Sequence, residues 1–383
     1  METATAALDI VIMAAGKGTR MRSKWPKVLH RLGGKSLLQH VLQTAAELGA
    51  RRVIVVTGHG AEEVEASARG PGIAFVRQEP QLGTGHAVQQ AVPLLSGTGT
   101  TLILNGDVPL IEASTARELV AAADGTRLAL LTIELDDPSG YGRVVRGDPA
   151  GRDALEGGRI HRIVEDKDAT ASDRNIREIY TGVMAAPTAA LKEWLAGLRN
   201  DNAQGEYYLT DVVGAAVAAG VPVVSAHPRS RAEVLGVNSP AQLAELERLL
   251  QRRAAERLME SGVRLADPAR FDLRGELDCG RDVEIDVGCI FEGRVAIGDD
   301  STIGAHCVIR NAVIGAGVTI RPYTHIDGEA AGVVVGAGAM VGPFSRLRAG
   351  ARLGEEVHIG NFVEIKNSSL GKGAKANHLA YIG

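Results

Sequence analysis

Aromatic side chains make up only 3% of this 383-residue chain, and no apolar run approaches the ~20 residues needed to cross a bilayer. The missing run excludes a membrane-spanning helix. The formal net charge of −4 leaves no global basic footprint for a nucleic acid. Cysteine is limited to Cys279, Cys289 and Cys307, with no Cys-x-x-Cys pair. An odd count, with no basic segment ahead of an apolar one in residues 1–7 to mark a secretion signal, argues for a reducing, cytoplasmic setting. His306 beside Cys307 raises zinc as an alternative to thiols buried in a small-residue core. Two nucleotide motifs are also missing. No Gly-x-x-x-x-Gly-Lys-Ser/Thr spacing occurs, and Gly16-x-Gly18 meets Met21 where a dinucleotide fingerprint needs a third glycine.

Glycine is abundant, at 47 residues, and suits an architecture in which small residues turn tight corners. Ile10 to Met13 reads as a buried parallel strand, and Ala14 to Gly18 as a small, flexible turn. Lys17, Arg20 and Lys27 set three cations beside that turn, which reads as a phosphate cradle at a helix N-terminus. Further apolar runs at residues 52–57, 73–76 and 101–104 alternate with helical spacing such as Leu37, Leu38, Val41, Leu42, Ala45 and Leu48. The pattern predicts a doubly wound, mostly parallel α/β sheet, with ligands beyond the carboxyl ends of its strands. Asp107 directly follows one such strand, with Gly106 before it and Pro109 after it. It reads as a Mg²⁺ ligand or as a cap of the next helix. A last strand of this half is expected from near Glu233 to Gly236-Val237-Asn238.

Ser239-Pro240 is a helix start, and Leu243, Leu246, Leu250, Ala254 and Leu258 form one apolar stripe over a connecting helix of residues 240–261. Its arginines are interleaved with Glu245, Glu247, Glu256 and Glu260, which argues against a nucleic-acid helix. Beyond Gly262 the period becomes six: residues 335, 341, 347, 353, 359 and 365 are aliphatic, as are 297, 303 and 309. Such hexads mean a parallel β-helix solenoid with aliphatic residues inward.

The chain resembles the bacterial bifunctional N-acetylglucosamine-1-phosphate uridylyltransferase/glucosamine-1-phosphate acetyltransferase family. The motifs that carry the resemblance are residues 14–21, Pro26-Lys27-Val28-Leu29-His30, residues 81–87, Gly106-Asp107-Val108-Pro109-Leu110, Gly140-Tyr141-Gly142-Arg143, Gln204-Gly205-Glu206-Tyr207-Tyr208 and residues 360–366. It implies a nucleotidyltransferase Rossmann-like domain over 1–239, a linker helix over 240–261 and a left-handed β-helix acetyltransferase domain over 262–383. It implies that UTP and N-acetylglucosamine 1-phosphate give UDP-N-acetylglucosamine, a cell-wall precursor, and pyrophosphate. On the same analogy, Met13, Ala14, Ala15, Gly16, Gln78, Gly83 and Thr84 contact the nucleotide, and Asn105 and Gly106 contribute at the aspartate loop. Asp107 and Asn238 hold Mg²⁺, while Lys27 and Arg20 serve the phosphates and the pyrophosphate leaving group. Gly142, Glu165 and position 180 contact the sugar; where the family has Glu-Ile-Asn-Thr-Gly, this chain carries Tyr180.

Sugar phosphates are competent nucleophiles at neutral pH, so positioning and cations suffice, and the first half has no nucleophile–base pair. For the second half, the resemblance implies acetyl-CoA and glucosamine 1-phosphate as substrates. Arg348, Lys366 and Tyr381 are then substrate contacts, His378 the general base, and a homotrimer the assembly. The chain stops at Gly383 within the repeat pattern, so the expectation is a C-terminally incomplete acetyltransferase domain with strong uridylyl transfer and little acetyl transfer. Other sugar-1-phosphate nucleotidylyltransferases, and a non-catalytic regulatory subunit, are the alternative functions.

Overall fold

The computed structural model describes residues 7–147 and 158–383; residues 1–6, most of the stretch read above as no secretion signal, lie outside it. The chain forms two compact units, one of residues 1–30 and 36–242, the other of residues 31–35 and 243–383. In chain order the elements begin with β1 (Leu8–Ala14), a short hairpin of β2 (Arg31–Leu32) and β3 (Lys35–Ser36), α1 (Leu37–Glu47), β4 (Arg52–Thr57) and α2 (Ala61–Ala68). Then come β5 (Ile73–Arg77), α3 (Thr84–Ala91), β6 (Thr100–Asn105), α4 (Ala113–Ala123), β7 (Leu128–Glu134), β8 (Gly142–Arg146) and β9 (Ile160–Val164). The unit closes with β10 (Glu178–Pro187), α5 (Thr188–Ala196), α6 (Asp211–Ala218) and β11 (Val223–Ala226).

The sheet order is β11-β7-β10-β6-β1-β4-β5, with β8 and β9 attached beside β10. Strands β6, β1, β4 and β5 run parallel, whereas β10 is antiparallel to both β6 and β7. Alternation along each strand feeds two cores. Ile10, Ile12, Leu102 and Leu104 pack with Leu38, Val41 and Leu119 of α1 and α4. Val11 and Ile103 face the other way, onto Val88, Leu191 and Val212 of α3, α5 and α6. Strands buried on both faces read as continuous apolar runs, which is why they were legible. Helix α1 begins where a capping box allows it: the Gln39 N–H donates to Ser36 Oγ (3.2 Å), and the Ser36 N–H to Gln39 Oε1 (2.9 Å).

Two expectations are corrected here. The glycine-rich turn after β1 does not open an α-helix; it leads into short 3-10 turns at Thr19–Met21 and Lys27–Leu29. Gly18 and Arg22 lie in the left-handed region (φ +59° and +48°), and Pro26 follows, so no helical run forms before Leu37. The segment near Glu233 is not a strand either. Arg231–Val234 is a 3-10 turn, and Ser230 and Glu233 close a capping box on it.

The second unit contains α7 (Pro240–Glu260), the tip of the β2–β3 hairpin and the repeat region. The apolar stripe of α7 includes a polar exception. Gln251, 2% exposed, donates to the Leu273 carbonyl (2.8 Å) and accepts from the Leu273 N–H (2.6 Å), so it pairs the backbone of the strand it packs on. Gly33 of the hairpin tip donates its N–H to Glu247 (2.8 Å).

Beyond α7 the chain passes the same three positions in each circuit, forming a seven-stranded and a ten-stranded sheet in which the paired strands run parallel. One row of in-register side chains is Ile285, Ile303, Ile320, Val341 and Ile359. A second is Phe291, Ile309, Ile326, Leu347 and Ile365. A third is Ile297, Ile314, Val335 and Leu353. All are buried in one continuous core. Each six-residue step therefore moves one row on. The step shortens to five between 309 and 314 and lengthens to nine between 326 and 335, where the chain makes an extra turn through Gly328 and Gly332. The two buried thiols are Cys289 and Cys307, which donate to the carbonyls of Gly304 and Arg321 (3.2 Å each). Burial pushes their pKa values up to about 11 and about 12. Among the described residues no group of three or more His, Cys, Asp or Glu side chains is arranged to hold a metal. No helix among them is long and apolar enough to cross a membrane.

Candidate active site

A cavity of about 210 Å³ opens beyond the carboxyl ends of β1 and β6. Of the residues singled out from sequence, Met13, Thr84, Asn105, Asp107, Gly142, Glu165, Tyr180 and Asn238 line it. Tyr141, Thr181, Gly182, Leu209, Thr210, Val234 and Gly236 also line it, with no site role expected for them from sequence.

The end of β6 is held against the end of β1 by the Gly106 N–H, which donates to the Met13 carbonyl (2.9 Å). A Cβ at Gly106 would lie 3.1 Å from that carbonyl oxygen, so a side chain there would crowd the approach. Val237 donates its N–H to the Asp107 carbonyl (3.0 Å), which brings the segment from Gly236 to Asn238 alongside. The result is a convergence of three side chains. Lys27 Nζ donates to Asp107 Oδ2 (2.5 Å) and to Asn238 Oδ1 (3.1 Å), and both ion-pair partners are largely buried. A carboxylate and an amide oxygen aimed at one ammonium form a donor set of the hard-oxygen kind that a divalent cation takes, together with phosphate oxygens and water. On this chemistry the residues fit the implied metal.

Gly182 is the second special position. It has φ +89°, and a Cβ there would sit 2.1 Å from Asn105 Nδ2, so its missing side chain makes room for the Asn105 amide. The β10–β7 register slips between Tyr180 and Met184 at the same place. Tyr180 is 7% exposed, and its hydroxyl has no hydrogen-bond partner among the described residues. Burial, then the charge of Glu165, raise its pKa well above the ordinary phenol value. Burial likewise raises Glu165; the Thr210 hydroxyl, donating to it at 2.9 Å, opposes the rise, and Asp211, Asp168 and Asp166 add to it. Burial also raises Tyr141, whose surroundings include the charges of Arg231, Asp107 and Arg20. Arg20 is exposed and does not line the cavity. Below the mouth, Arg143 is 2% exposed and ties the Tyr141 carbonyl to Asp166.

The other predicted nucleotide contacts are placed by bonds of their own. Gln78, 3% exposed, donates its amide to the Gly83 carbonyl (2.8 Å), and Thr84 Oγ1 accepts the Leu209 N–H (3.0 Å). Ala15 accepts the His59 N–H (3.3 Å), while Gly16 is exposed, with open space where a Cβ would be. Ala14 is buried, 4% exposed.

In the second unit, Arg348 and Lys366 follow Leu347 and Ile365, which are in register, so they occupy equivalent places on successive circuits. Arg348 pairs with Glu364 (2.9 Å), and Tyr381 is in register with Glu364. His378 and Tyr381 are exposed on the following circuit.

Two family models match the chain: a MobA-like NTP transferase domain over residues 10–143 and a GMPPB C-terminal domain over residues 273–381. A bifunctional protein GlmU of Methylibium petroleiphilum is 71% identical over 380 residues, covering 98% of this chain and 81% of that protein. One from Azoarcus sp. is 57% identical over 376 residues, with 98% and 80% covered. Among solved structures, UDP-glucose pyrophosphorylase complexed with UDP-glucose matches with a TM-score of 0.51 at 18% identity. It covers 64% of this chain and 99% of that one, a likeness of fold.

Proposed function

From its membership of the bifunctional GlmU family, to which this chain belongs, we propose that it transfers UMP from UTP to N-acetylglucosamine 1-phosphate, releasing pyrophosphate. The observation that supports this most directly is the convergence of Lys27, Asp107 and Asn238 beside the cavity at the strand ends. The product, UDP-N-acetylglucosamine, feeds peptidoglycan and lipopolysaccharide synthesis in the cytoplasm.

The chemistry asks little of a base. An oxygen of the sugar phosphate attacks the α-phosphorus in line, and the barrier is repulsion between anions. Lys27 and Arg20 bring positive charge to the triphosphate, and Arg20 meets the charge that develops on pyrophosphate. Asp107 and Asn238 would hold Mg²⁺, which supplies charge neutralisation of the phosphate oxygens when bound. The backbone of residues 13–16, with Gln78, Gly83 and Thr84, contacts the uridine side. Asn105, Gly106, Gly142, Glu165 and Tyr180 shape the sugar side.

The second unit, on this reading, is a left-handed parallel β-helix of the glucosamine-1-phosphate N-acetyltransferase type that assembles as a trimer. Arg348, Lys366 and Tyr381 bind the sugar phosphate, and His378 removes the proton that lets the amine attack acetyl-CoA. Residues 1–239, 240–261 and 262–383 are the three segments of this organisation.

The test is pyrophosphate release from UTP and N-acetylglucosamine 1-phosphate. Release should require both substrates and Mg²⁺, and Asp107→Ala should lower it by about 100-fold or more. Unchanged release in Asp107→Ala would remove the metal assignment.

A further inference from the structure

The Lys27 ammonium sits on the two oxygens that the proposed metal would need, at 2.5 Å from Asp107 Oδ2 and 3.1 Å from Asn238 Oδ1. Its stem is packed in place, because a Cβ on Gly18 would come 2.6 Å from Lys27 Cβ. The ion pair is mostly shielded, with side-chain exposures of 15% and 20%. A divalent cation held by Asp107 and Asn238 would need the same two oxygens to which the ammonium now donates. Two positive charges at one donor pair repel, so occupancy by one opposes the other.

We propose that Lys27 is the resident counter-cation of the metal site. It keeps Asp107 and Asn238 converged in the metal-free chain, and a divalent cation has to displace it. The inference rests on the metal reading above and adds an antagonism to it. Without nucleotide, Lys27 opposes metal binding. With nucleotide, the displaced ammonium finds a phosphate, so metal and nucleotide bind with positive, reciprocal coupling.

Mn²⁺ binding, read from the loss of the free-ion electron paramagnetic resonance signal in the absence of nucleotide, tests this without any turnover. The comparison is between the wild-type chain, Lys27→Met, Lys27→Arg and the double variant Lys27→Met/Asp107→Ala. Methionine keeps the packed stem and removes the charge, and arginine keeps the charge. Mn²⁺ affinity should rise by about ten-fold in Lys27→Met. It should stay at the wild-type level in Lys27→Arg, and the gain should vanish in the double variant. Affinity in Lys27→Met no greater than wild type overturns the proposal. So does a gain that survives in the double variant, since the ion would then sit elsewhere. If Asp107→Ala abolishes pyrophosphate release while Lys27→Met leaves Mn²⁺ binding unchanged, the metal site stands and only the displacement falls.

Discussion

At position 180 a phenol hydroxyl is buried with no bond among the described residues, although leaving such a group unsatisfied costs about 1–3 kcal/mol. It lines the cavity with Glu165 and Asn105, so on the proposed function the sugar phosphate is the partner expected for it. Tyr180→Phe removes the hydroxyl and keeps the ring. The chain should become more stable by about 1 kcal/mol in thermal unfolding, because nothing is lost from the free protein. The KM for the sugar phosphate should rise several-fold with that for UTP unchanged. An unchanged sugar KM would assign Tyr180 to packing alone. Asp107 was legible as a carboxylate at a strand end, whereas Asn238 closes no strand and was named through the family resemblance. That Lys27 joins them was not legible, because the contacts span 80 and 211 residues of sequence. The role of Gly182 was equally hidden: a lone glycine in a strand signals close approach without saying to what.

At the scale of elements, the corners of the repeat region carry a column of rings. His306, Tyr323, Phe344 and Phe362 stack with centroids 5.2, 5.1 and 5.5 Å apart and planes within 18°. All four have φ between +54° and +60°, a region that costs an ordinary residue about 1–2 kcal/mol. Successive circuits bring equivalent corners together, and stacking of about 0.5–1.5 kcal/mol per contact offsets the strain. Phe344 touches a ring on each side, so Phe344→Ala should lower the urea midpoint of the second unit. Phe344→Gly should lower it less, leaving the unit about 1 kcal/mol more stable than Phe344→Ala does, because glycine relieves the φ strain. Glycine doing worse than alanine would mean that the corner is not strained. Scarcity of aromatics was visible in the composition, but the stacking of Tyr323, Phe344 and Phe362 in one column appears only once the circuits are stacked.

At the scale of the whole molecule, the chain does not divide at a single point. Residues 31–35 group with the second unit, where Gly33 and Gly34 adopt φ +54° and +85° and a Cβ on Gly33 would meet Leu250 at 2.5 Å. A sequence boundary near 239 places the connecting helix but cannot reveal that hairpin, whose few residues carry no periodic signal. The proposed trimer is tested by sedimentation equilibrium, with the mass of three chains expected. A mass of one chain across the concentration range would remove it.

By itself the sequence determined the alternation of strands and helices and the six-residue rows. Both follow from burial patterns repeated along the chain, which local order records. It also determined the identities of the strand-end residues, because glycine, aspartate and lysine at a turn carry their chemistry with them. Only the tertiary structure decided which of these residues meet. Lys27 on Asp107 and Asn238, Asn105 over Gly182, and the ring column are contacts between distant segments. Their geometry is set by sheet order and register, which no single stretch of sequence contains.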